Sequence, residues 1–320
     1  MDDFNAYSPE AVIGSNLYEI SGRIDRIAEQ QMAHLCELAE AIVTDTASTE
    51  ELIAALPDHR PPRFESTDST LPQNTDLLNR LHTITNVWQS VYLCREIRKR
   101  MNDRHTLLPE FFFHDFEQPS KESANRIAYQ RNSYTDNAYL QFASLLSLPR
   151  AMYAHSFEKV CEEVYNQNCE YCILPIENSV EGPLNGFTRL IDLYELKIAA
   201  TCDVPTTDGS RITRFALLRR NLTPLYGNQP FGEFFECLLP PTELQAPCAA
   251  DLLYAAECCG LLLHRLDLRP YQNKSVTENA THFVFRTANG DLPTLLLYLA
   301  MEAPHYQPVG LYPHLPNSKH

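Results

Sequence analysis

The stretch "CILPIENSVEGPLNGFTRLIDLYELKIAA", Cys172 to Ala200, decides how the rest of the chain is read. It opens as an apolar run with the character of a buried strand and breaks at Pro-Ile-Glu-Asn-Ser. "PLNGFTRLIDLY" then reads as a helix and "LKIAATCDV" as the next strand. Two readings of the polar break are open. Asn178 and Ser179 are residue types favoured at a helix N-cap. The mouth of a strand that feeds a helix N-terminus is also a natural pocket for a small anion.

Outward from this stretch, strand and helix alternate from Arg126. "RIAYQ" is a strand and "TDNAYLQFASLL" a helix, with Thr135 as its expected cap. "AMYAHS" is a strand, "FEKVCEEVYNQ" a helix and "CEYCILPI" a strand. "RITRFALLRR" closes the series. The pattern predicts a mainly parallel α/β sheet over residues 126–222. After Pro230 the order becomes strand ("EFFECLLP"), helix (Pro247 to Cys259), two strands ("LLLHRLDLRP", "THFVFRTA"), helix (Leu292 to Met301) and strand ("YQPVGLYPH"). This βαββαβ order over 230–316 is the ferredoxin-like plan. Ahead of the α/β region, residues 16–45 and 76–101 are helical in pattern, and residues 1–103 form a helical region. Leu17, Ile20, Ile24, Ile27, Met32, Leu35, Leu38 and Ile42 mark one apolar face; Leu77, Leu78, Leu81, Ile84, Val87, Trp88, Val91 and Leu93 mark the other. Residues 104–125, with aromatic Phe111 to Phe113, read as a linker.

Composition narrows the function. The 320-residue chain carries a formal net charge of −15, and its basic run "REIRKR" (Arg95 to Arg100) fits the solvated end of a helix. Nucleic acid is not an expected partner, because its binding draws on clustered Lys and Arg. No apolar run approaches the ~20 residues that span a bilayer. The acidic start "MDDFNAYSPE" is unlike a signal peptide, so a cytoplasmic protein without a membrane partner is expected. The ten cysteines read mostly as small core residues. Cys169 and Cys172 form a C-x-x-C, but no second pair at zinc spacing accompanies it, and no metal is expected. Neither G-x-G-x-x-G nor a P-loop occurs, and no cofactor is expected.

Several segments together resemble prephenate dehydratase. "LPIENSVEGPLNGFTRLIDL" is similar to the family's P-I-E-N-S/T segment, and "ITRFALLRR" to its T-R-F strand. "NSYTDNAYLQFA", Asn132 to Ala143, is similar to the first strand-helix turn. The tail resembles an ACT regulatory domain, with "LDLRP" (Leu266 to Pro270) at its E-S-R-P corner and "PVGLYP" as its closing strand. The resemblance covers Arg126 to Pro313. It implies a lobe of the periplasmic-binding-protein-like dehydratase type, followed by the ACT module. "RIDRIAEQQMAHLCELAEAI" is faintly similar to the first helix of a fused chorismate mutase. Ser21 and Leu38 stand where the mutase has substrate-binding arginines, so mutase activity is not expected.

The resemblance also implies roles. Prephenate loses a ring hydroxyl and carbon dioxide together, so a donor must help hydroxide leave and two carboxylates must be held away from water. Thr213 is the implied donor, and Asn178 would hold a carboxylate or the same hydroxyl. Glu177, Ser179, Ser133, Thr135 and Arg214 are the implied substrate-binding residues. Pro247, Cys248, Ala249, Asp267, Arg269 and Pro270 are the implied effector-binding residues. Departures from the family matter as much. Ile212 follows Val204 after seven residues, where the family places a second lobe. Gln130, Arg131 and Asn132 replace glycines of the first turn, and Cys248 replaces a glycine beside the effector. Two functions follow. One is a degenerate regulatory or binding protein that keeps one wall of the site. The other is a compact dehydratase that makes phenylpyruvate under ACT feedback. In either, the partner is a small aromatic carboxylic acid, prephenate or phenylalanine-like, and a homodimer is expected.

Overall fold

The computed structural model describes residues 9–46, 48–60, 75–101, 122–222, 232–241, 248–273 and 276–316. Phe111 to Phe113, most of the expected linker, and Pro247 lie outside the described residues. Three helices come first: α1 (Pro9–Asp45), α2 (Thr49–Ala55) and α3 (Thr75–Met101). Helix α1 begins earlier than its apolar pattern suggests. Its burial runs from Leu35 through Ala39, Ile42 and Val43, whereas Ile27, expected on the apolar face, is 54% exposed.

The alternating region follows as β1 (Arg126–Gln130), α4 (Ser133–Ala143), β2 (Arg150–Ala154), α5 (Phe157–Tyr165), β3 (Tyr171–Asn178), β4 (Gly182–Pro183), α6 (Asn185–Leu193), β5 (Lys197–Pro205) and β6 (Ile212–Arg219). Strand β1 pairs in parallel with β2 and β3. Strand β6 then inserts antiparallel between β3 and β5. A mainly parallel sheet gives way to a mixed one here for a simple reason. The short Thr206–Arg211 turn, with Gly209 at φ 69°, can only send the chain back antiparallel.

The tail is β7 (Phe234–Leu239), α7 (Ala249–Cys258), β8 (Leu262–Asn273), β9 (Val276–Arg286), α8 (Leu292–Glu302), β10 (Gln307–Tyr312) and β11 (His314–Leu315). Its spatial order, β10-β7-β9-β8, is ferredoxin-like. The two series share a single sheet, in the order β2-β1-β3-β6-β5-β10-β7-β9-β8. They join where β10 and β11 run parallel to β5, with Gly310 opposite Ile198 and His314 opposite Thr201. The joint requires glycine: a Cβ on Gly310 would stand 2.8 Å from the Ile198 Cβ and 2.7 Å from the Tyr312 ring. Lys197 Nζ adds a hydrogen bond to the Pro308 carbonyl at 2.8 Å.

Three apolar cores hold these layers. Helix α4 covers one face of the first series with Ala138 and Phe142 over Ile127, Ile173 and Leu217. Helices α5 and α6 cover the other face, and that core continues under the joint to Val284, Val309 and Tyr312. The third core lies on the far side of the tail sheet. There α7 and α8 pack against Phe283 and Phe285, and α1 and α3 pack on top. The run "REIRKR" belongs to this interface as well as to a helix end. Arg95 donates to the Cys258 carbonyl that ends α7 at 2.9 Å, and Arg98 pairs with Asp291, the N-cap of α8. The α7 C-terminus leaves carbonyls its own backbone does not satisfy, and Arg95 answers one of them; at α8 the Arg98 cation meets the carboxylate of the capping side chain. Ser90 donates to Glu302 at 2.7 Å in the same seam. Among the described residues no helix is long and apolar enough to cross a membrane.

Candidate binding site

The Pro-Ile-Glu-Asn-Ser break does not start a helix. Strand β3 continues through Asn178, and α6 begins only at Asn185, behind Leu184 and without a side-chain cap. Asn178 Oδ1 accepts from the Val180 amide at 2.9 Å, and Ser179 Oγ accepts from the Ile212 amide at 3.0 Å. Both residues shape the turn into the short hairpin with β4, so neither caps α6. Asn178 Nδ2 donates to Thr213 Oγ1 across the β3–β6 ladder at 3.3 Å. The two implied catalytic side chains therefore meet on one edge of the sheet. On α4, Asn132 is the cap rather than Thr135. Its Oδ1 accepts from the amides of Tyr134 and Thr135 at 3.0 Å, and Thr135 Oγ1 donates back to the Gln130 carbonyl at 2.6 Å. Thr135 is 1% exposed, so its hydroxyl is committed to this box, whereas Ser133 is exposed on the first turn.

Residues alternate faces along a strand, so Glu177 and Arg214, the next pair on the ladder, point the other way. They open onto a cavity of ≈ 200 Å³ between α6, the joint and the uncovered face of the tail sheet. Ile176, Ile191, Ile198, Val284 and Val309 give it an apolar wall. Its polar side is a chain of ion pairs that crosses the joint. Arg214 Nε donates to Asp203 at 2.8 Å and its Nη1 reaches Glu177 at 3.4 Å. Arg265 reaches the same Glu177 oxygen at 3.3 Å and pairs with Asp267 on its own strand. His282, with no exposed surface, stands between Asp267 (Nδ1, 2.8 Å) and Glu236 (Nε2, 2.6 Å). Glu236 also accepts from Arg269 at 3.0 Å and from the Tyr312 hydroxyl at 2.7 Å.

These contacts fix the charges. Burial works against ionised Glu236, but His282, Arg269 and Tyr312 outweigh it and pull its pKa down to about 2. Burial likewise opposes a charge on His282, and the two carboxylates raise its pKa above the usual 6.5. Asp267 and Asp203 are held well below the ordinary carboxylate range against the cost of burial, the first by His282 and Arg265, the second by His314 and Arg214. His264, at the cavity wall, is shifted below the usual 6.5, opposite to His282, first by desolvation and then by Arg286, Arg214 and Arg265.

Residues 127–208 match the family model for prephenate dehydratase. This segment is prephenate dehydratase-like. It runs from β1 to the turn before β6, so it contains Glu177 and Asn178 and stops short of Thr213 and Arg214. No curated protein matches the chain. Among solved structures, prephenate dehydratase from Streptococcus mutans is similar at 21% identity and TM-score 0.47, over 60% of this chain and 99% of that one. A prephenate dehydratase from Arthrobacter aurescens, in complex with L-Phe, is similar at 13% identity and TM-score 0.41, over 59% and 90%. GqqA, described as a novel type of quorum quenching acylase, is similar at 22% identity and TM-score 0.42, over 60% and 96%.

The implied residues thus fall into four places. Asn178, Ser179, Thr213 and Ser133 lie at the strand ends or the first turn of α4, in or beside the dehydratase-like segment. Glu177 and Arg214 from the implied substrate set, and Arg269 from the implied effector set, line one cavity, with Asp267 bonded behind them. Cys248 and Ala249 sit at the start of α7 on the helix-covered side of the tail; the Cys248 amide donates to Asp251 at 2.9 Å, and Ala249 packs into the helical core. Pro270 is an exposed residue of β8. Glu236, Arg265, His282 and Arg286 are additional cavity residues that motif comparison does not reach, and Tyr312, inside the closing-strand motif, is another to which it gives no role.

Proposed function

We propose that this dehydratase-like chain is a regulatory or binding protein of aromatic amino acid biosynthesis that takes a small aromatic carboxylic acid and does not catalyse dehydration. The observation that carries this reading is the cavity at the joint. It combines an apolar wall of about amino-acid size with arginines, and it connects Glu177 and Arg214 of the dehydratase-like signatures to Arg269 of the tail. A partly exposed arginine site suits a carboxylate, and apolar walls suit the ring. Asn178 and Thr213, by contrast, spend a hydrogen bond on each other at an open edge, where positioning and exclusion of water are poor. The expected result is no phenylpyruvate absorbance when the purified chain is mixed with prephenate near neutral pH, together with calorimetric heat on titration with phenylpyruvate or phenylalanine. Absence of that heat removes the reading.

The compact dehydratase remains the second reading, favoured by the 3.3 Å approach of the Asn178 amide to the Thr213 hydroxyl. Turnover that Asn178→Ala and Thr213→Ala both abolish would establish it. Either protein would be a homodimer assembled through the tail and the N-terminal helices. Strand β8 ends the sheet and exposes Leu262, Leu266 and Leu268, which supports pairing with a second copy. Light scattering at micromolar concentration should give twice the chain mass; the mass of one chain contradicts it.

A further inference from the structure

The cavity's charge balance carries one inference, which rests on the reading that the cavity takes a carboxylic acid. Arg214, Arg265, Arg269 and Arg286 supply four positive charges. Glu177, Glu233 and Glu236 on the wall, with Asp203 and Asp267 bonded behind it, supply five negative ones. Asp192 on α6 and Lys197 on β5 cancel, and His264 and His314, the other two histidines of the wall, are counted as neutral. Without a proton on His282 the site is negative by one unit; with it, the site is neutral. Among the described residues three of the arginines are tied to carboxylates, and Arg286 is not; its guanidinium lies 5.7 Å over the Phe234 ring, beside the aromatic part of the wall. Arg286 is therefore the cation available to an incoming carboxylate.

The geometry around His282 makes the proton structural. A neutral imidazole has one N–H, and a bare ring nitrogen cannot face a carboxylate at 2.6 or 2.8 Å without repulsion. Glu236 cannot be the protonated partner, because it already accepts from Arg269 and Tyr312 as well. Loss of the proton therefore releases Asp267 or Glu236 to draw on Arg265 or Arg269, and leaves an uncompensated negative charge beside the cavity. His282 itself is buried and acts through these neighbours, as a positioning residue.

We propose that the joint cavity is a proton-linked carboxylate site, which binds a small aromatic carboxylate while His282 is charged and releases it when His282 becomes neutral. Linkage is reciprocal, so bound carboxylate must also hold the proton on His282 more tightly. Nothing in this scheme uses Asn178 or Thr213.

The test is calorimetric titration of the full chain with phenylpyruvate at about pH 6 and about pH 9. Affinity should be about tenfold weaker at the higher pH, the size expected for one charge a few ångströms away in a partly buried site. At the higher pH the heat should depend on the ionisation enthalpy of the buffer, as a proton is taken up. His282→Gln should bind at both pH values with the weak affinity. The His282 ring resonance, followed by NMR in the unmodified chain, should titrate about one pH unit higher with phenylpyruvate than without, which needs no variant to fold. Equal affinity at both pH values with no shift in the His282 titration overturns the proton linkage and leaves the carboxylate-binding reading standing. No heat at either pH overturns both. Unchanged pH dependence in a folded His282→Gln assigns the proton to another group and overturns the role of His282.

Discussion

A neutral imidazole can satisfy one carboxylate, and His282 has Asp267 and Glu236 to satisfy at once. The consequence reaches beyond ligand binding to stability. A histidine whose pKa is raised in the folded chain contributes stability that is complete below its ordinary value, 6.5, and is lost as the pH climbs through the folded value. Glu236 works with the opposite sign. Its pKa is lowered from 4.5 to about 2, so its contribution is present above 4.5 and is lost as the pH falls toward 2. The unfolding midpoint should therefore drop on both flanks of a plateau between about pH 5 and 6.5. His282→Gln should lower the plateau and flatten the alkaline flank. A wild-type midpoint that keeps rising past pH 9 would contradict a charged His282. Part of this was visible in the residues. "FFECLL" places a lone acid in an apolar strand, and "RLDLR" sets Arg265, Asp267 and Arg269 two apart, with leucines between. Both patterns signal a strand with one charged inner face. What no local pattern gives is which acid meets which base, because the partners stand 15 and 46 residues from His282 in sequence.

At the scale of elements, the joint between β5 and β10 depends on Gly310. A methyl group there meets the Ile198 Cβ at 2.8 Å, and neither backbone can withdraw without breaking the pairing. Gly310→Ala should cost about 1–3 kcal/mol of unfolding free energy in denaturant titration. A loss below a few tenths would mean that the joint yields freely. Strand and helix order was legible for the longer elements, because apolar periodicity fixes element type, whereas the seven-residue α2 and the two-residue strands β4 and β11 were too short to show a period. Boundaries and caps were less so. Thr135 and Asn132 both suit a cap, and the box they form together uses both, with Asn132 in the cap position. Asn178 looked like the head of a helix because the two-residue β4 hairpin that keeps it in strand β3 has no period to detect. The cations of "REIRKR" looked solvated because the groups they meet, Cys258 and Asp291, belong to helices 163 and 193 residues away.

For the whole molecule, one sheet runs through both strand series and an ion-pair chain crosses the joint from Asp203 to Glu236. Two separate modules would unfold in two steps; a shared sheet with a shared core should unfold in one. Fluorescence of Trp88, which stacks on Tyr92 in the helical layer, and far-ultraviolet circular dichroism should give coincident denaturant transitions. Separated transitions would show that the joint melts first. The sequence displayed two pattern changes and so suggested two units. Their fusion was hidden, since it rests on a few parallel pairs around Gly310 rather than on any repeat.

The placement of that joint also sets an order in time. Lys197 and Pro308 are in contact yet separated by 111 residues. A ribosome adding ~5–20 residues per second delivers the second partner many seconds after the first. During that interval β5 is a sheet border with open amides and carbonyls, and no strand stands beside Ile198 on the β10 side. The nascent chain must keep that border from strangers until its own β10 arrives, a task suited to a chaperone or to temporary cover by the protein's own upstream segments.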